Sequence, residues 1–190
     1  MPDTRLRLLV VDDEPALRTS LSLVLREIGY DVRSAGNGFS ALSEIRNATP
    51  DILISDLNMP GMSGFELLSV VRRRFPAIPV IAMSGAFAGN ALPDGLPADA
   101  FYEKGAGIAQ LIKALEFVSE KDASNRAETP IWFSQNGHDS SGAPFVTMAC
   151  PECLRAFPLV LCQPVSVTNQ ADCIHCGVSI QYAIASAYCI

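Results

Sequence analysis

The chain contains 190 residues, of which 49% are hydrophobic and 18% are charged, and its formal net charge at pH 7 is −6. This much apolar material excludes a wholly disordered protein, and the acidic balance gives no general attraction to a nucleic-acid backbone. Asp12 and Asp13 interrupt the first apolar run, so no signal peptide is predicted, and no uncharged stretch suits a membrane-spanning helix. These features predict a cytoplasmic protein with no membrane partner.

Charges and cysteines are distributed unevenly along the chain. Residues 123–190 hold two of the fourteen basic and four of the twenty acidic residues, yet all six cysteines. In a reducing compartment, cysteines at this density bind metal more often than they form disulfides. The stretch at 122–130 is polar and aperiodic, which is typical of a linker. We therefore predict one domain at 1–121 and a second at 131–190, which is called the tail below.

Short apolar runs and amphipathic stretches alternate over the first 120 residues. Strands are predicted at 6–11, 30–35, 52–56, 80–83 and 100–102. Helices are predicted from Pro15 to 28, over 39–46, after an N-cap at Ser63, and over 108–118. The run Arg72–Arg74 is interpreted as a solvated helix face. This alternation predicts a parallel sheet with helices on both faces.

Polar and charged residues stand at the carboxyl ends of the predicted strands. They are Asp12, Asp13, Asp56, Ser84 and Lys104. Ligands of open parallel sheets bind at these ends, so the five side chains are expected to meet at one edge. Three carboxylates repel each other unless a cation lies between them, and oxygen ligands suit Mg²⁺. An ammonium group and a hydroxyl group beside them suit the oxygens of a phosphoryl group.

Four segments carry a resemblance to a known family. They are LLVVDDE at 8–14, ISDLNMPGMSG at 54–64, AMSG at 82–85 and FYEK at 101–104. In order and spacing they resemble the signature segments of two-component response-regulator receiver domains, over residues 5–120. The resemblance implies a flavodoxin-like, doubly wound α/β fold with five parallel strands in the order 2-1-3-4-5. It also implies a phosphorelay protein rather than an enzyme, whose partner is a sensor histidine kinase or a phosphotransfer protein.

The resemblance also implies a role for each acidic residue. Asp56 is then the phosphoacceptor. Mg²⁺ is bound by Asp13, Asp56 and the backbone carbonyl of Asn58, while Asp12 acts through a coordinated water.

The same resemblance assigns the remaining positions of the site. Lys104 and Ser84 then hold the phosphoryl oxygens, and Ser84 with Phe101 forms the conformational switch. Gly105 stands where the family usually has proline, and the segment 85–100 is too rich in glycine and proline for a full fourth helix. A shortened or irregular fourth helix is therefore predicted. These departures keep open an alternative function, a non-phosphorylated pseudo-receiver that acts as a scaffold or dimerisation module.

Two Cys-x-x-Cys pairs, Cys150 with Cys153 and Cys173 with Cys176, are separated by 19 residues. This spacing is typical of a zinc ribbon, in which four thiolates fill the tetrahedral shell of a structural Zn²⁺. A pair of redox dithiols is the alternative. Short strands around the pairs predict a small β-rich, zinc-ribbon-like domain of no recognised family. The other two cysteines, Cys162 and Cys189, are predicted to be buried apolar residues.

The composition of the tail also bears on its partners. The only basic residues in 123–190 are Arg126 and Arg155. Because zinc modules that bind nucleic acid usually surround the metal with lysine and arginine, a nucleic-acid partner is not expected. We predict output through contacts with a protein effector, and homodimerisation is a further possibility.

Overall fold

The computed structural model describes residues 5–85, 96–120, 131–133, 137–138, 144–153, 155–160 and 169–184. The described residues of the first part of the chain form five strands and four helices, with a helix after each of the first three strands and after the fifth. The strands are β1 (Arg7–Val11), β2 (Asp31–Ala35), β3 (Ile52–Asp56), β4 (Val80–Ser84) and β5 (Ala100–Glu103). The helices are α1 (Pro15–Ile28), α2 (Gly38–Asn47), α3 (Gly64–Arg74) and α4 (Ile108–Glu120). None of the helices in the described residues has the length and apolar character needed to cross a bilayer.

The five strands form one parallel sheet in the order β2-β1-β3-β4-β5, which confirms the predicted fold. Alternate residues of each strand face opposite sides of the sheet. In β1, Leu8 and Val10 pack with α1 and α4, whereas Leu9 and Val11 pack with α2 and α3. Both faces are therefore covered, as the apolar runs of the strands predict.

Local sequence signals set the ends of the helices. Pro15 opens α1, and Gly29 ends it with a left-handed φ of 112°. The Ser63 side chain accepts a hydrogen bond from the Glu66 amide at 3.3 Å and caps α3, as predicted. The predicted irregular fourth helix falls largely on 86–95, and the predicted linker on 122–130. Both segments lie outside the described residues.

The tail contains short strands in two small sheets. They are β6 (Ile131–Phe133), β7 (Gly137–His138), β8 (Pro144–Ala149), β9 (Ala156–Val160), β10 (Asn169–Asp172) and β11 (Ser179–Ile184). One sheet is antiparallel, in the order β7-β8-β9. In the other, β11 pairs antiparallel with β10 and parallel with β6. Cys162 and Cys189 lie outside the described residues.

Helix α3 is buried on all sides along most of its length, from Gly64 to Arg72. Strand β6 of the tail lies against this helix. The prediction of a solvated arginine face is therefore wrong for Arg72, which is 7% exposed and pairs with Asp99 at 2.8 Å. The sequence pattern of a helix shows its polar face but does not show whether a second surface will cover that face.

Candidate functional site

Three carboxylates meet at the carboxyl edge of the sheet. Asp12 and Asp13 follow β1, and Asp56 is the last residue of the neighbouring strand β3. Carboxylate oxygens of the three residues lie within 4.8 Å of one another. Asp12 and Asp56 are buried, whereas Asp13 is exposed. The cluster therefore opens to solvent on the Asp13 side.

Lys104 places its ammonium group between two of these carboxylates. Its Nζ atom is 2.7 Å from Asp56 Oδ2 and 2.8 Å from Asp12 Oδ2. The Lys104 amide also donates a hydrogen bond to the Ser84 carbonyl at 2.9 Å, which holds the end of β5 beside the end of β4. The next residue, Gly105, has a φ of +95°, a conformation that glycine adopts readily. Glycine at this position therefore leaves Lys104 directed into the cluster.

The ionisation of the cluster reflects both burial and pairing. Burial raises the pKa of Asp56 above its ordinary value, although the hydrogen bonds from Lys104 and from the Asn58 amide oppose this shift. Burial alone would lower the pKa of Lys104, but its hydrogen bonds to Asp12 and Asp56 outweigh burial and raise it. Lys104 is therefore positively charged at neutral pH.

The loop after Asp56 packs closely on the start of α3. The Asn58 amide donates to Asp56 Oδ1 at 3.2 Å, and the buried Asn58 Oδ1 atom has no hydrogen-bond partner among the described residues. A Cβ atom on Gly64 would lie 1.9 Å from the Asp56 carbonyl oxygen and 2.6 Å from Leu57 Cα. Only glycine fits here, a requirement that the sequence analysis did not identify. The signal available was a glycine directly after the Ser63 cap.

Ser84 and Phe101 occupy the neighbouring strands. Ser84 is buried at the end of β4, between the strand that carries Asp56 and the strand that precedes Lys104. Phe101 lies in β5, half-buried against the same apolar cluster as α3. The structure thus brings Asp12, Asp13, Asp56 and Lys104 together and places Ser84 at the same edge.

A second cluster lies at the tips of two hairpins in the tail. Cys150 and Cys153 lie between β8 and β9, and Cys173 and Cys176 lie between β10 and β11. The Sγ atoms of Cys150 and Cys176 are 3.7 Å apart, and those of Cys153 and Cys173 are 3.8 Å apart. Sulfur atoms bound to one Zn²⁺ at about 2.3 Å in a tetrahedron are about 3.8 Å apart, whereas a disulfide joins them at about 2.05 Å. The spacing therefore fits a tetrahedral metal site.

The backbone around the two cysteine pairs repeats the same pattern. The Cys150 amide donates to the Arg155 carbonyl at 3.0 Å, and the Cys173 amide donates to the Val178 carbonyl at 2.9 Å. Amides also point at sulfur, from Cys153 to Cys150 Sγ at 3.5 Å and from His175 to Cys173 Sγ at 3.4 Å.

The thiols of the cluster differ in acidity. Burial raises the pKa of Cys150 to about 12. Burial also acts on Cys173, but hydrogen bonds from the amides of His175 and Cys176 outweigh it and lower the pKa to about 6. Four thiolates this close repel each other, so a cation between them is needed for all four to ionise.

Comparison with known proteins finds several relatives of this chain. TcrX of Mycobacterium tuberculosis, a probable transcriptional regulatory protein, is 40% identical over 76 residues, which is 40% of this chain and 32% of TcrX. The DNA-binding response regulator MtrA of Mycolicibacterium smegmatis is 38% identical over 84 residues, 44% of this chain and 36% of MtrA. The chain thus spans about a third of the length of TcrX and of MtrA. Response regulator GacA of Pseudomonas viridiflava is 28% identical over 177 residues, 89% of this chain and 82% of GacA.

Solved structures give the same result. Chemotaxis response regulator CheY4 of Vibrio cholerae has 31% identity and a TM-score of 0.56, over 60% of this chain and 99% of CheY4. TrrA of Thermotoga maritima, solved with Mg²⁺ and BeF, has 31% identity and a TM-score of 0.55, over 59% of this chain and 97% of TrrA. The response regulator receiver domain family matches residues 8–116, more than half of the chain. The protein therefore belongs to the response regulator receiver domain family of two-component systems.

Proposed function

We propose that this protein is a response regulator of a phosphorelay and that Asp56 is its phosphoacceptor. The supporting observation is the position of Asp56, a buried carboxylate 2.7 Å from the Lys104 ammonium. Oxygens of Asp12 and Asp13 lie within 4.8 Å of its own. The Asp56 carboxylate, the Lys104 ammonium group and the other carboxylates that could hold a metal thus lie at one edge of the sheet.

The proposed reaction is transfer of a phosphoryl group to carboxylate. An Asp56 oxygen attacks the phosphorus of a phosphohistidine on the donor protein. The bond between phosphorus and the histidine nitrogen breaks, and the electron pair of that bond remains on the nitrogen. The product is an acyl phosphate, which water later hydrolyses. Lys104 neutralises charge on the phosphoryl oxygens, and the Ser84 hydroxyl donates to one of them. This division of roles follows from the reaction, which requires positioning and charge neutralisation more than covalent chemistry by the protein.

The acidic cluster fits Mg²⁺. Asp13, Asp56 and the backbone carbonyl of Asn58 would bind the ion directly, and Asp12 would act through water. The fit follows from the positions of two buried carboxylates, Asp12 and Asp56, beside the exposed Asp13. Buried carboxylates this close together are stable only when cations neutralise their charge. When bound, Mg²⁺ would neutralise the phosphoryl oxygens during transfer.

Phosphorylation would be relayed through Ser84 and Phe101. Ser84 stands at the edge of the sheet beside the acidic cluster, and Phe101 is half-buried two strand residues before the end of β5. Movement of Ser84 towards a phosphoryl group would let Phe101 turn further into the core. A local change in charge would thus select between two packings.

We propose a sensor histidine kinase or a phosphotransfer protein as the phosphodonor. TrrA, the receiver domain relative described above, has been solved in complex with histidine kinase ThkA. The pseudo-receiver alternative receives less support. This alternative was based on Gly105 and on the segment 85–100, which is rich in glycine and proline. Most of that segment lies outside the described residues, but Lys104 beside Gly105 contacts both Asp12 and Asp56.

The tail, residues 131–190, is proposed to be a separate zinc-ribbon-like domain after a linker at 122–130. Cys150, Cys153, Cys173 and Cys176 would hold one structural Zn²⁺, and the tail would carry output through protein contacts. MtrA is by name a DNA-binding protein, but the tail here contains one basic residue, Arg155, and the linker before it contains one more, Arg126. Binding of the phosphorylated protein to duplex DNA would contradict this proposal.

Phosphorylation can be tested directly on the full chain. The protein is incubated with Mg²⁺ and acetyl phosphate, and its intact mass is measured. We expect one added phosphoryl group in the wild type and none in Asp56→Asn. Asp31→Asn is the matched control, because Asp31 is exposed at the opposite edge of the sheet. An unchanged wild-type mass, or equal addition to Asp56→Asn, would contradict Asp56 as the phosphoacceptor.

A further inference from the structure

The first cysteine pair of the tail lies beside a carboxylate, Glu152, that contacts the receiver domain. Glu152 lies between Cys150 and Cys153, and its oxygens accept from two arginines at the end of α3. Arg74 Nη1 is 2.9 Å from Glu152 Oε2, and Arg73 Nε is 3.4 Å from Glu152 Oε1. One carboxylate therefore bridges two guanidinium groups from a different domain.

The two ion pairs of Glu152 lie beside a larger buried surface on helix α3. From Gly64 to Arg72 every residue of α3 is buried, including the polar Glu66 and Ser69. A helix on the face of a sheet normally leaves its polar side in water. Strand β6 lies against α3, and β6 pairs in turn with β11, which follows the second cysteine pair. Both cysteine pairs are thus linked to α3, one through Glu152 and the other through β11 and β6.

We infer that α3 is the docking surface for the tail and that docking and zinc binding stabilise each other. The inference rests on the proposed zinc site. Zinc fixes the turn that carries Glu152, since Cys150 before this turn and Cys153 after it would both be ligands. Held in place, Glu152 meets Arg73 and Arg74 without losing further conformational freedom. Linkage requires the reverse effect to be equal, so the two arginines must in turn favour the zinc-bound state.

Arg73 and Arg74 of the receiver domain should therefore control how fast the tail releases zinc. Zinc-loaded full-length protein is mixed with a chelating dye, and the rate of zinc release is measured. Arg73→Gln combined with Arg74→Gln should release zinc about threefold to fivefold faster than the wild type, the scale expected of exposed ion pairs. Arg46→Gln is the matched control, because Arg46 is an exposed arginine in the last turn of α2 with no ion pair among the described residues.

Charge reversal distinguishes a direct contact from a general loss of stability. Arg74→Glu and Glu152→Arg should each accelerate zinc release, and the two together should release zinc more slowly than Glu152→Arg alone, because the new pair restores one of the two attractions. A release rate in the Arg73/Arg74 double variant equal to that of Arg46→Gln would overturn the coupling while leaving the zinc site intact. Protein that contains no zinc by metal analysis would overturn the zinc site and the coupling together.

Hydrogen exchange gives a second readout. Removing zinc from the full chain should increase amide exchange across Gly64–Arg74, because the tail no longer covers the helix. Exchange across Gly38–Asn47, on the same face of the sheet, should not change. Equal protection of α3 with and without zinc would overturn the inference.

Discussion

Lys104 and Asp56 are 48 positions apart in the sequence, yet the ammonium nitrogen of one lies 2.7 Å from a carboxylate oxygen of the other. Burial raises the pKa of Asp56, and this contact opposes the shift. Asp56 is therefore an acid whose charged form is disfavoured by its surroundings and partly restored by one lysine. The pair thus controls how much of Asp56 is ionised, and the ionised carboxylate is the form that the proposed phosphoacceptor role requires.

The first prediction concerns Lys104→Ala. Removing Lys104 removes a contact that lowers the pKa of Asp56, so this pKa should rise further. As the pH falls, Asp56 should take up its proton at a higher pH than in the wild type. The shift can be followed by NMR titration of the Asp56 carboxyl carbon in the absence of Mg²⁺. Lys113→Ala, an exposed lysine of α4, should leave the titration unchanged. A lower pKa in Lys104→Ala would contradict the assigned role.

The second prediction concerns Mg²⁺ and thermal stability. A ligand that binds only the folded protein, present at ten times its dissociation constant, stabilises it by about 1.4 kcal/mol. For a domain of this size, the unfolding midpoint should rise by roughly 5 °C. Asp13→Asn should lose most of this shift, because it removes a proposed ligand at the exposed side of the cluster. Asp31→Asn should keep the shift. Calorimetry with and without Mg²⁺ measures it, and an equal shift in both variants would argue against Asp13 as a ligand.

The third prediction concerns Gly64→Ala. The new Cβ would overlap the Asp56 carbonyl oxygen, so α3 or the loop after Asp56 must move. We expect a loss of about 3 kcal/mol in the free energy of unfolding and a large reduction in phosphorylation. Gly36→Ala is the matched control, because a Cβ there would meet only the end of the Arg18 side chain at 3.4 Å. Urea unfolding and the acetyl phosphate assay test both variants, and wild-type behaviour of Gly64→Ala would contradict the described packing.

The fourth prediction compares two ion pairs. The Arg72 and Asp99 side chains are 6% and 8% exposed, so Arg72→Ala leaves a buried carboxylate without its cation. This should lower the free energy of unfolding by about 3 kcal/mol. Arg7 and Asp51 form an exposed pair, so Arg7→Ala should cost less than about 1 kcal/mol. Urea unfolding of the two variants should separate them clearly, and equal costs would show that burial does not set the strength of these pairs.

The fifth prediction concerns the metal of the tail. Metal analysis of freshly purified protein should find one zinc per chain, lost in Cys173→Ser and kept in Cys162→Ser. A structural zinc site contributes roughly 10 kcal/mol or more to folding, so Cys173→Ser should unfold the tail. The receiver domain has its own apolar clusters and should stay folded and phosphorylatable. Metal-free protein with a folded tail and two disulfides would support the redox alternative instead.

The resemblance to receiver domains implied the sheet order, and the polar residues that follow the strands predicted the edge at which the site lies. Strands β1, β3 and β4 are apolar runs that end at or just before a polar residue, Lys104 follows β5, and parallel strands bring those ends together. Asp12, Asp56 and Lys104 could therefore be placed in one cluster from their positions alone. The closeness of the four cysteines of the tail was predicted from their spacing, which is typical of a zinc ribbon.

The sequence did not predict the packing of α3. The run Arg72–Arg74 has the pattern of a solvated surface, yet Arg72 pairs with Asp99 and Arg74 with Glu152. Periodicity describes a helix in isolation, whereas these pairs depend on segments that are distant in the sequence. Gly64 was missed for a similar reason, because the carbonyl that excludes a side chain belongs to Asp56, the last residue of β3, eight residues earlier.

The strand order β10-β11-β6 also constrains when the tail can fold during synthesis. β6 is the first strand of the tail to be made, but its partner β11 is the last of the described strands. Until β11 emerges from the ribosome, β6 has an unpaired edge beside a receiver domain that is already complete, and domains generally fold as units in the order of synthesis. Contact with α3 would then protect β6 from pairing with other chains while the rest of the tail is translated.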